Sequence, residues 1–204
     1  MDNEGQNAPD DLLPDVIEED IPEPEIKRIY LMNGRVVALD PAVGMYLYGG
    51  GRFYGQPVGI HKPKSNIFSK PLELSCMEAT YLLKKGMVEV INFESGEPVS
   101  LEDLNTIASQ EFDDFESKFA IYEDLRDKGY IARPGLKFGA DFAVYKHGPG
   151  KDHSLFIVQV MKANSTISAI DMVRAGRLAT SVRKRFVIAN PTTRSYYVFQ
   201  WTKL

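Results

Sequence analysis

The sequence has little cysteine and histidine and no long apolar run. Its 204 residues include one cysteine, Cys76, and three histidines, so an internal disulfide or a multi-cysteine zinc site cannot form. No stretch approaches the roughly 20 apolar residues of a membrane helix, and the first thirty residues are acidic, unlike the basic start of a signal peptide. These features exclude disulfide scaffolds and zinc fingers, and they predict a cytoplasmic protein without membrane contact.

Charge is distributed very unevenly along the chain. Residues 1–25 contain ten acids, four prolines and no Lys or Arg. Because proline stops helix propagation and little apolar surface is available to bury, this segment is predicted to be an acidic disordered tail. From residue 131 onward there are twelve Lys or Arg and three acids, a net charge of +9 that the whole-chain value of −4 conceals. A basic domain of this kind is typical of proteins with a phosphate-rich partner.

Residues 26–117 are predicted to form a small N-terminal α+β domain. Asn33-Gly34 lies between two apolar runs and favours a type I′ hairpin turn. Ser75 and Glu78 have the spacing of a helix capping box. Residues 44–64 are glycine-rich and predicted to be a loop-rich stretch, without the Gly-Lys-Ser/Thr of a phosphate-binding loop. Further elements are predicted as a helix from Ser75 to Gly86, a strand at 88–91, and helices beginning at Ser100 and at about Phe112.

Residues 118–204 are predicted to form a C-terminal mixed α/β domain, which makes the fold class α+β or α/β. Beyond a boundary near Ser117 the apolar pattern changes to two-residue alternation and short apolar runs, as expected of strands. The predicted strands lie at 130–132, 138–145, 155–161, 185–189 and 196–202, with helices up to residue 127 and at 168–182.

Two of the histidines, His147 and His153, bracket a Gly-Pro-Gly loop between two predicted strands. Loops between strands often carry functional groups, although both histidines could simply be solvated. Tyr145 ends the strand before this loop, so a hairpin would bring Tyr145 and His153 together. No carboxylate pair stands beside the histidines at metal-ligand spacing.

A basic run ends the predicted helix at 168–182 and includes Arg183 and Lys184. These charges fit the negative end of the helix dipole and fit phosphate binding equally well.

An alternative is a metal-dependent nuclease built on Asp141. Such a site needs a Glu or Gln, one spacer and a lysine, and Gln159 is followed by Lys162. The spacing is one residue too long, which places the lysine on the opposite face of a strand. The pattern therefore disfavours this alternative.

Taken together, several motifs resemble the archaeal tRNA-splicing endonucleases. They are the 122–130 segment YEDLRDKGY, the 135–145 segment GLKFGADFAVY, His153-Ser154, Arg177 and the 181–184 segment SVRK. The motifs occur in the right order over nearly all of 118–204. Residues 72–92 are similar to the family's small N-terminal domain.

The resemblance implies cleavage of precursor tRNA at a bulge-helix-bulge without metal or cofactor. By the motif match, Tyr145 is the general base, His153 the general acid and Lys184 the stabiliser of charge in the transition state. A free phenol has a pKa of about 10, so Lys184 and Arg183 are expected to lower the pKa of Tyr145. The products would carry a 2′,3′-cyclic phosphate and a 5′-hydroxyl.

The resemblance also implies RNA contacts away from the catalytic residues. Arg177 and Trp201 match the positions that clamp a flipped bulge base, although Trp201 could equally pack in the core. Residues 53–64 resemble an insertion in the catalytic subunits of two-subunit enzymes. Two lysines of this segment, Lys62 and Lys64, are expected to bind RNA, as is Arg183.

The loop before the last strand departs from the family pattern. Homotetrameric members carry acids there, which dock into a basic cleft of another subunit, but residues 190–195 contain no carboxylate. The departure favours a heterotetramer with a related non-catalytic subunit, and a homotetramer is the alternative. The chain could itself be the non-catalytic RNA-binding subunit, but the presence of Tyr145, His153 and Lys184 favours an enzyme.

Overall fold

A computed structural model describes residues 19–162, 165–182 and 184–199 of the chain. Within these ranges, two five-stranded sheets with accompanying helices follow one another along the chain. The predicted α+β class is therefore confirmed. In the part described, no helix has the length and apolar character needed to cross a membrane.

The first sheet is built on the predicted hairpin. Asn33 and Gly34 have φ angles of 50° and 76°, and the two strands that they join pair antiparallel. The strands of this sheet are β1 Arg28–Met32, β2 Arg35–Ala38, β3 Gln56–Pro57, β4 Leu72–Leu74 and β5 Glu89–Asn92. Strand β5 pairs in parallel beside β1, and the strand order is β3-β4-β2-β1-β5.

Three helices accompany this sheet: α1 Pro41–Tyr48, α2 Cys76–Lys84 and α3 Leu101–Glu111. The predicted capping box is present at the start of α2, where the Ser75 side chain accepts a hydrogen bond from the Glu78 N–H at 3.2 Å. The start of α3, also predicted, has the same arrangement on Ser100.

The stretch 44–64, predicted to be rich in loops, begins inside helix α1, which was not predicted from the sequence. Asp40 caps this helix by accepting a hydrogen bond from the Ala42 N–H at 2.8 Å, and Pro41 occupies a first-turn position that needs no N–H donor. Gly44 lies inside this helix, at a position where an added Cβ would lie only 3.2 Å from the Cβ of Leu72. This glycine serves close packing instead of a turn.

Part of the predicted disordered tail also differs from expectation. The backbone N–H of Glu19 donates to the side-chain oxygen of Asn66 at 3.0 Å, and the Asn66 amide donates back to the Glu19 carbonyl at 2.7 Å. Ile21 packs against the core. Residues 19–25 therefore lie on the N-terminal half, whereas residues 1–18 are outside the described ranges.

The elements of the second half are α4 Phe115–Asp127, β6 Ile131–Pro134, β7 Phe142–Tyr145, β8 Phe156–Val160, α5 Ala169–Val182, β9 Arg185–Asn190 and β10 Ser195–Phe199. The second sheet has the order β10-β9-β8-β7-β6. Strands β8 and β9 are parallel and the other neighbours are antiparallel. The predicted strand at 138–145 begins later than expected, because residues 136–138 form a short 3-10 helix that ends at Gly139 in the left-handed region.

The two halves share one continuous apolar core. Leu47 and Leu82 from the N-terminal half belong to the same buried cluster as Ile121 and Val144 from the C-terminal half. The predicted domain boundary near Ser117 falls within the first turn of α4, and the division at this residue stays a prediction.

Arg133 of β6 connects the halves by a polar contact. Its Nη1 donates to the carbonyls of Phe53 and Gly55 at 2.9 and 2.8 Å and to Oε1 of Glu78 at 3.1 Å. The side chains of Arg133 and Glu78 are only 16% and 8% exposed. Because both charges are nearly buried, each depends on the other for compensation.

We expect replacement of Arg133 by Met to destabilise the protein by about 3–5 kcal/mol, because Glu78 would be left buried without a counter-charge. Arg28→Met is the matched control, since the partner of Arg28, Glu89, is 62% exposed and such pairs contribute less than about 1 kcal/mol. Urea unfolding measures both variants. Equal losses would contradict the importance assigned to the buried pair.

Candidate active site

Three adjacent strand ends bring the predicted catalytic residues together. Tyr145 is the last residue of β7, and Lys184 directly precedes β9. The Nζ of Lys184 donates to the carbonyl of Ser154 at 3.3 Å, so Lys184 lies beside the residue that follows His153. Since β8 pairs with both β7 and β9, Tyr145, His153 and Lys184 lie at the same end of the sheet.

Tyr145 is nearly buried, with 9% of its surface exposed. Burial disfavours the phenolate and raises the pKa of Tyr145; the positive charge of Arg133 opposes this shift and the negative charge of Asp152 adds to it. The expectation that Lys184 lowers this pKa is wrong, because Arg133 is the cation that acts on the phenol and its effect is smaller than that of burial. Arg183, the second expected cation, lies outside the described residues.

The loop between β7 and β8 folds around the carboxylate of Asp152. Its Oδ2 accepts hydrogen bonds from the backbone N–H groups of Lys146 and His147 at 3.2 and 2.9 Å, and its Oδ1 accepts one from Gly148 at 3.2 Å. These three donors follow Tyr145 directly, and Asp152 directly precedes His153. The side chains of His147 and His153 are both exposed.

The same loop is seated on an aromatic side chain from the N-terminal half. A Cβ at Gly148 would lie 2.3 Å from the Phe53 ring, which means that the loop backbone and the ring are in direct contact. Phe53 is 2% exposed, has a φ of 50°, and offers its carbonyl to Arg133. The N-terminal half therefore supports the loop that carries both histidines.

Lys184 lies in a partly buried, positively charged surrounding. Burial lowers its pKa, the nearby charge of Lys137 lowers it further, and Asp152 opposes both effects. The ammonium groups of Lys184 and Lys137 lie 5.8 and 4.7 Å from the centroid of the Phe138 ring. Two cations around one ring, close to the predicted catalytic residues, suit the binding of a phosphate group.

The other predicted RNA-binding residues lie on different elements. Arg177 is exposed on α5, and Lys62 and Lys64 are exposed in the connection between β3 and β4. Trp201 falls outside the described residues, as Arg183 does.

Asp141, the centre of the alternative metal site, is already engaged by donors. Its Oδ2 accepts hydrogen bonds from Nε2 of Gln159 at 2.6 Å and from the Val160 N–H at 2.8 Å. Its Oδ1 lies 3.1 Å from Nζ of Lys118. Across residues 19–162, 165–182 and 184–199, no group of three or more His, Cys, Asp and Glu is placed to hold a metal. The surroundings of Asp141 suit a structural carboxylate better than a metal ligand.

The loop between β9 and β10 is tied to its own chain. The guanidinium of Arg194 lies 3.5 Å from Oε2 of Glu123 on α4, and Lys84 lies 2.8 Å from the other oxygen. The side chain of Asn190 accepts a hydrogen bond from the Thr192 N–H at 2.9 Å. The charged side chain of this loop is thus a cation that is paired within the subunit.

Sequence reasoning did not single out three charged residues of this region. Asp152 had a usable signal, because an aspartate in a Gly-Pro-Gly loop commonly accepts backbone hydrogen bonds. Lys137 and Arg133 gave no such signal, since their neighbours at the site are distant in sequence.

Both halves of the chain are similar to known proteins. Residues 28–105 match the family model described as the N-terminal domain of tRNA intron endonuclease, and residues 115–197 match that of its catalytic C-terminal domain. The chain is 42% identical to the tRNA-splicing endonuclease of Hyperthermus butylicus over 180 residues, which cover 86% of this chain and 98% of that protein. Identity is 39% to the protein of the same name from Saccharolobus islandicus and 37% to that from Saccharolobus solfataricus; each match covers 85% of this chain and 97% of the relative.

Proposed function

The chain belongs to the tRNA intron endonuclease family, and from this premise we propose that it is a catalytic subunit that cleaves precursor tRNA at bulge-helix-bulge motifs without a metal ion. Its general activity is that of a tRNA-splicing endonuclease, which excises introns. The observation that carries the proposal is the juxtaposition of Tyr145, His153-Ser154 and Lys184 at one end of the second sheet.

In the proposed reaction the RNA supplies its own nucleophile. The Tyr145 phenolate accepts the proton of the 2′-hydroxyl, and the 2′-oxygen attacks the adjacent phosphorus. As the bond to the 5′-oxygen breaks, the protonated imidazole of His153 donates a proton to that oxygen. The ammonium of Lys184 offsets the negative charge on the phosphorane. The products are a 2′,3′-cyclic phosphate and a 5′-hydroxyl.

The raised pKa of Tyr145 bears on the base step. Only the phenolate can accept a proton, and burial makes this form scarce at neutral pH. Its population increases as the pH rises toward the pKa, so the base step becomes faster in mildly alkaline solution. Arg133 favours the phenolate and therefore supports this step.

Substrate recognition is proposed to rest on shape and stacking. Arg177 is exposed on α5, where its guanidinium can stack on an unpaired base, and Trp201 is proposed to hold the other face of that base. Lys62, Lys64 and Arg183 are proposed to contact phosphates. Lys62 and Lys64 belong to the segment that starts at Phe53. Phe53 contacts the loop between β7 and β8, residues 146–155, hereafter the catalytic loop.

The second candidate is a non-catalytic RNA-binding subunit with the same fold. The partly buried Lys184 beside the His153 loop favours the enzyme. Its Nζ donates to the carbonyl of Ser154, at the end of the sheet where Tyr145 ends β7, and this is where a cation is needed to offset charge on the reacting phosphate.

The proposed assembly is a heterotetramer whose related subunit supplies an acidic loop. In this chain the corresponding loop carries Arg194, and that residue is paired with Glu123. A basic loop cannot dock into a basic cleft, because like charges oppose association at an interface. A homotetramer is the alternative.

Cleavage is expected to proceed fully in EDTA, because the proposed acid, base and cation are all side chains. The assay uses a bulge-helix-bulge RNA, with analysis of the product ends, and is made with and without the co-purified partner. Loss of activity in EDTA and recovery with Mg²⁺ would contradict the assignment of Tyr145, His153 and Lys184.

Replacement of His153 by Ala is expected to slow cleavage by roughly 10²–10⁴-fold, since proton donation to the leaving group is lost. RNA affinity should stay nearly unchanged, because the proton moves only in the transition state. His147→Ala is the matched control: it removes an exposed imidazole from the same loop and keeps the N–H that donates to Asp152. Equal losses in the two variants would show that the acid is misassigned.

The purified chain alone is expected to cleave weakly or not at all, and a related subunit with an acidic loop should restore activity. The physical reason is the missing charge complementarity between the cationic loop and a basic cleft. Light scattering gives the assembly size, and the cleavage assay is run on the same samples. A fully active homotetramer would refute the heterotetramer and leave the proposed chemistry intact.

A further inference from the structure

We propose that Asp152 is a positioning residue that holds the catalytic loop in the conformation which presents His153 to the substrate. The inference rests on the proposed function and deepens it. Its basis is that one carboxylate accepts hydrogen bonds from three successive backbone N–H groups, those of Lys146, His147 and Gly148.

The position of Asp152 in the chain gives these bonds their significance. The three donors immediately follow the proposed base, Tyr145, and Asp152 immediately precedes the proposed acid, His153. The Asp152 N–H also donates to the Gly148 carbonyl at 3.1 Å, which closes the loop on itself. The backbone on the base side and the backbone on the acid side are therefore joined through a single side chain.

This internal closure is needed because few other contacts constrain the acid. The His153 side chain is exposed, so packing does not set its direction, whereas Ser154 beside it is 6% exposed. The Phe53 ring packs against the loop backbone at Gly148. Asp152 then fixes the course of the backbone between that support and His153.

The charge of Asp152 reaches the other two catalytic residues as well. It adds to the rise in the pKa of Tyr145 that burial causes, and it opposes the fall in the pKa of Lys184 that burial and Lys137 cause. A test of positioning must therefore separate an effect through His153 from an effect through these charges.

A double-mutant cycle makes this separation. Asp152→Asn is measured by single-turnover cleavage of a bulge-helix-bulge RNA, in the wild-type chain and in the His153→Ala variant, using whichever form of the enzyme is active. In the wild-type chain a loss of roughly 10- to 100-fold is expected, because small misplacements of a catalytic group are costly. RNA affinity and the melting temperature should hardly change. In the His153→Ala variant no further loss is expected, since the positioned group is gone.

Two other variants refine the test. Asp152→Ala should lose more activity than Asp152→Asn, because the amide oxygen still accepts a hydrogen bond. Asp40→Asn is the matched control, since Asp40 also accepts a backbone hydrogen bond, at the start of α1, and should leave cleavage unchanged. Equal losses from Asp152→Asn in both backgrounds would overturn the positioning role.

Amide exchange supplies a readout that does not depend on activity. In the wild-type chain the His147 amide should exchange slowly, and Asp152→Ala should speed this exchange by roughly tenfold or more. Unchanged exchange would overturn the inference even in a chain that cleaves nothing. Failure of the proposed function is distinct, because it appears as a wild-type enzyme that leaves the RNA intact.

Discussion

The buried guanidinium of Arg133 is the contact on which the arrangement of the molecule depends. It satisfies two carbonyls of a turn and the carboxylate of α2, all from the N-terminal half. A charge that has lost its water needs these partners in place, so β6 and the turn cannot move independently. Because the turn contains Phe53, whose ring contacts Gly148, the N-terminal half determines the position of the loop between β7 and β8.

Burial has the same effect on Tyr145 and Lys184, the ionisable groups at the ends of the two strands that flank β8. It favours the neutral form of Tyr145 and the neutral form of Lys184. For Lys184 an arriving phosphate opposes this shift, because an anion nearby favours the ammonium, and a partly desolvated pair interacts more strongly than one in water. For Tyr145 the same phosphate opposes ionisation, which leaves Arg133 as the group that favours the phenolate.

Local sequence signals predicted the elements well and the tertiary contacts poorly. The hairpin at Asn33-Gly34, the capping box at Ser75 and the helix start at Ser100 depend on neighbours within a few residues, and the structure contains all three. Helix α1 was not predicted because Gly44 was included in a loop-rich stretch, whereas this glycine allows close contact with Leu72. The proposed catalytic residues were predicted from a family pattern. The effect of Arg133 on the pKa of Tyr145 was not, because it acts between β6 and β7, whose pairing no local sequence signal reveals.

The two hydrogen bonds between the Asn66 side chain and the backbone of Glu19 limit how far the acidic N-terminal tail can be shortened. The Asn66 side chain is 2% exposed and uses both ends of its amide on one residue. Truncation of the chain after residue 18 leaves that pairing intact. Truncation a few residues later would leave the buried Asn66 amide without its hydrogen-bond partner, next to Gly49 at the end of α1. The useful trimming point is therefore set by an asparagine nearly fifty residues away.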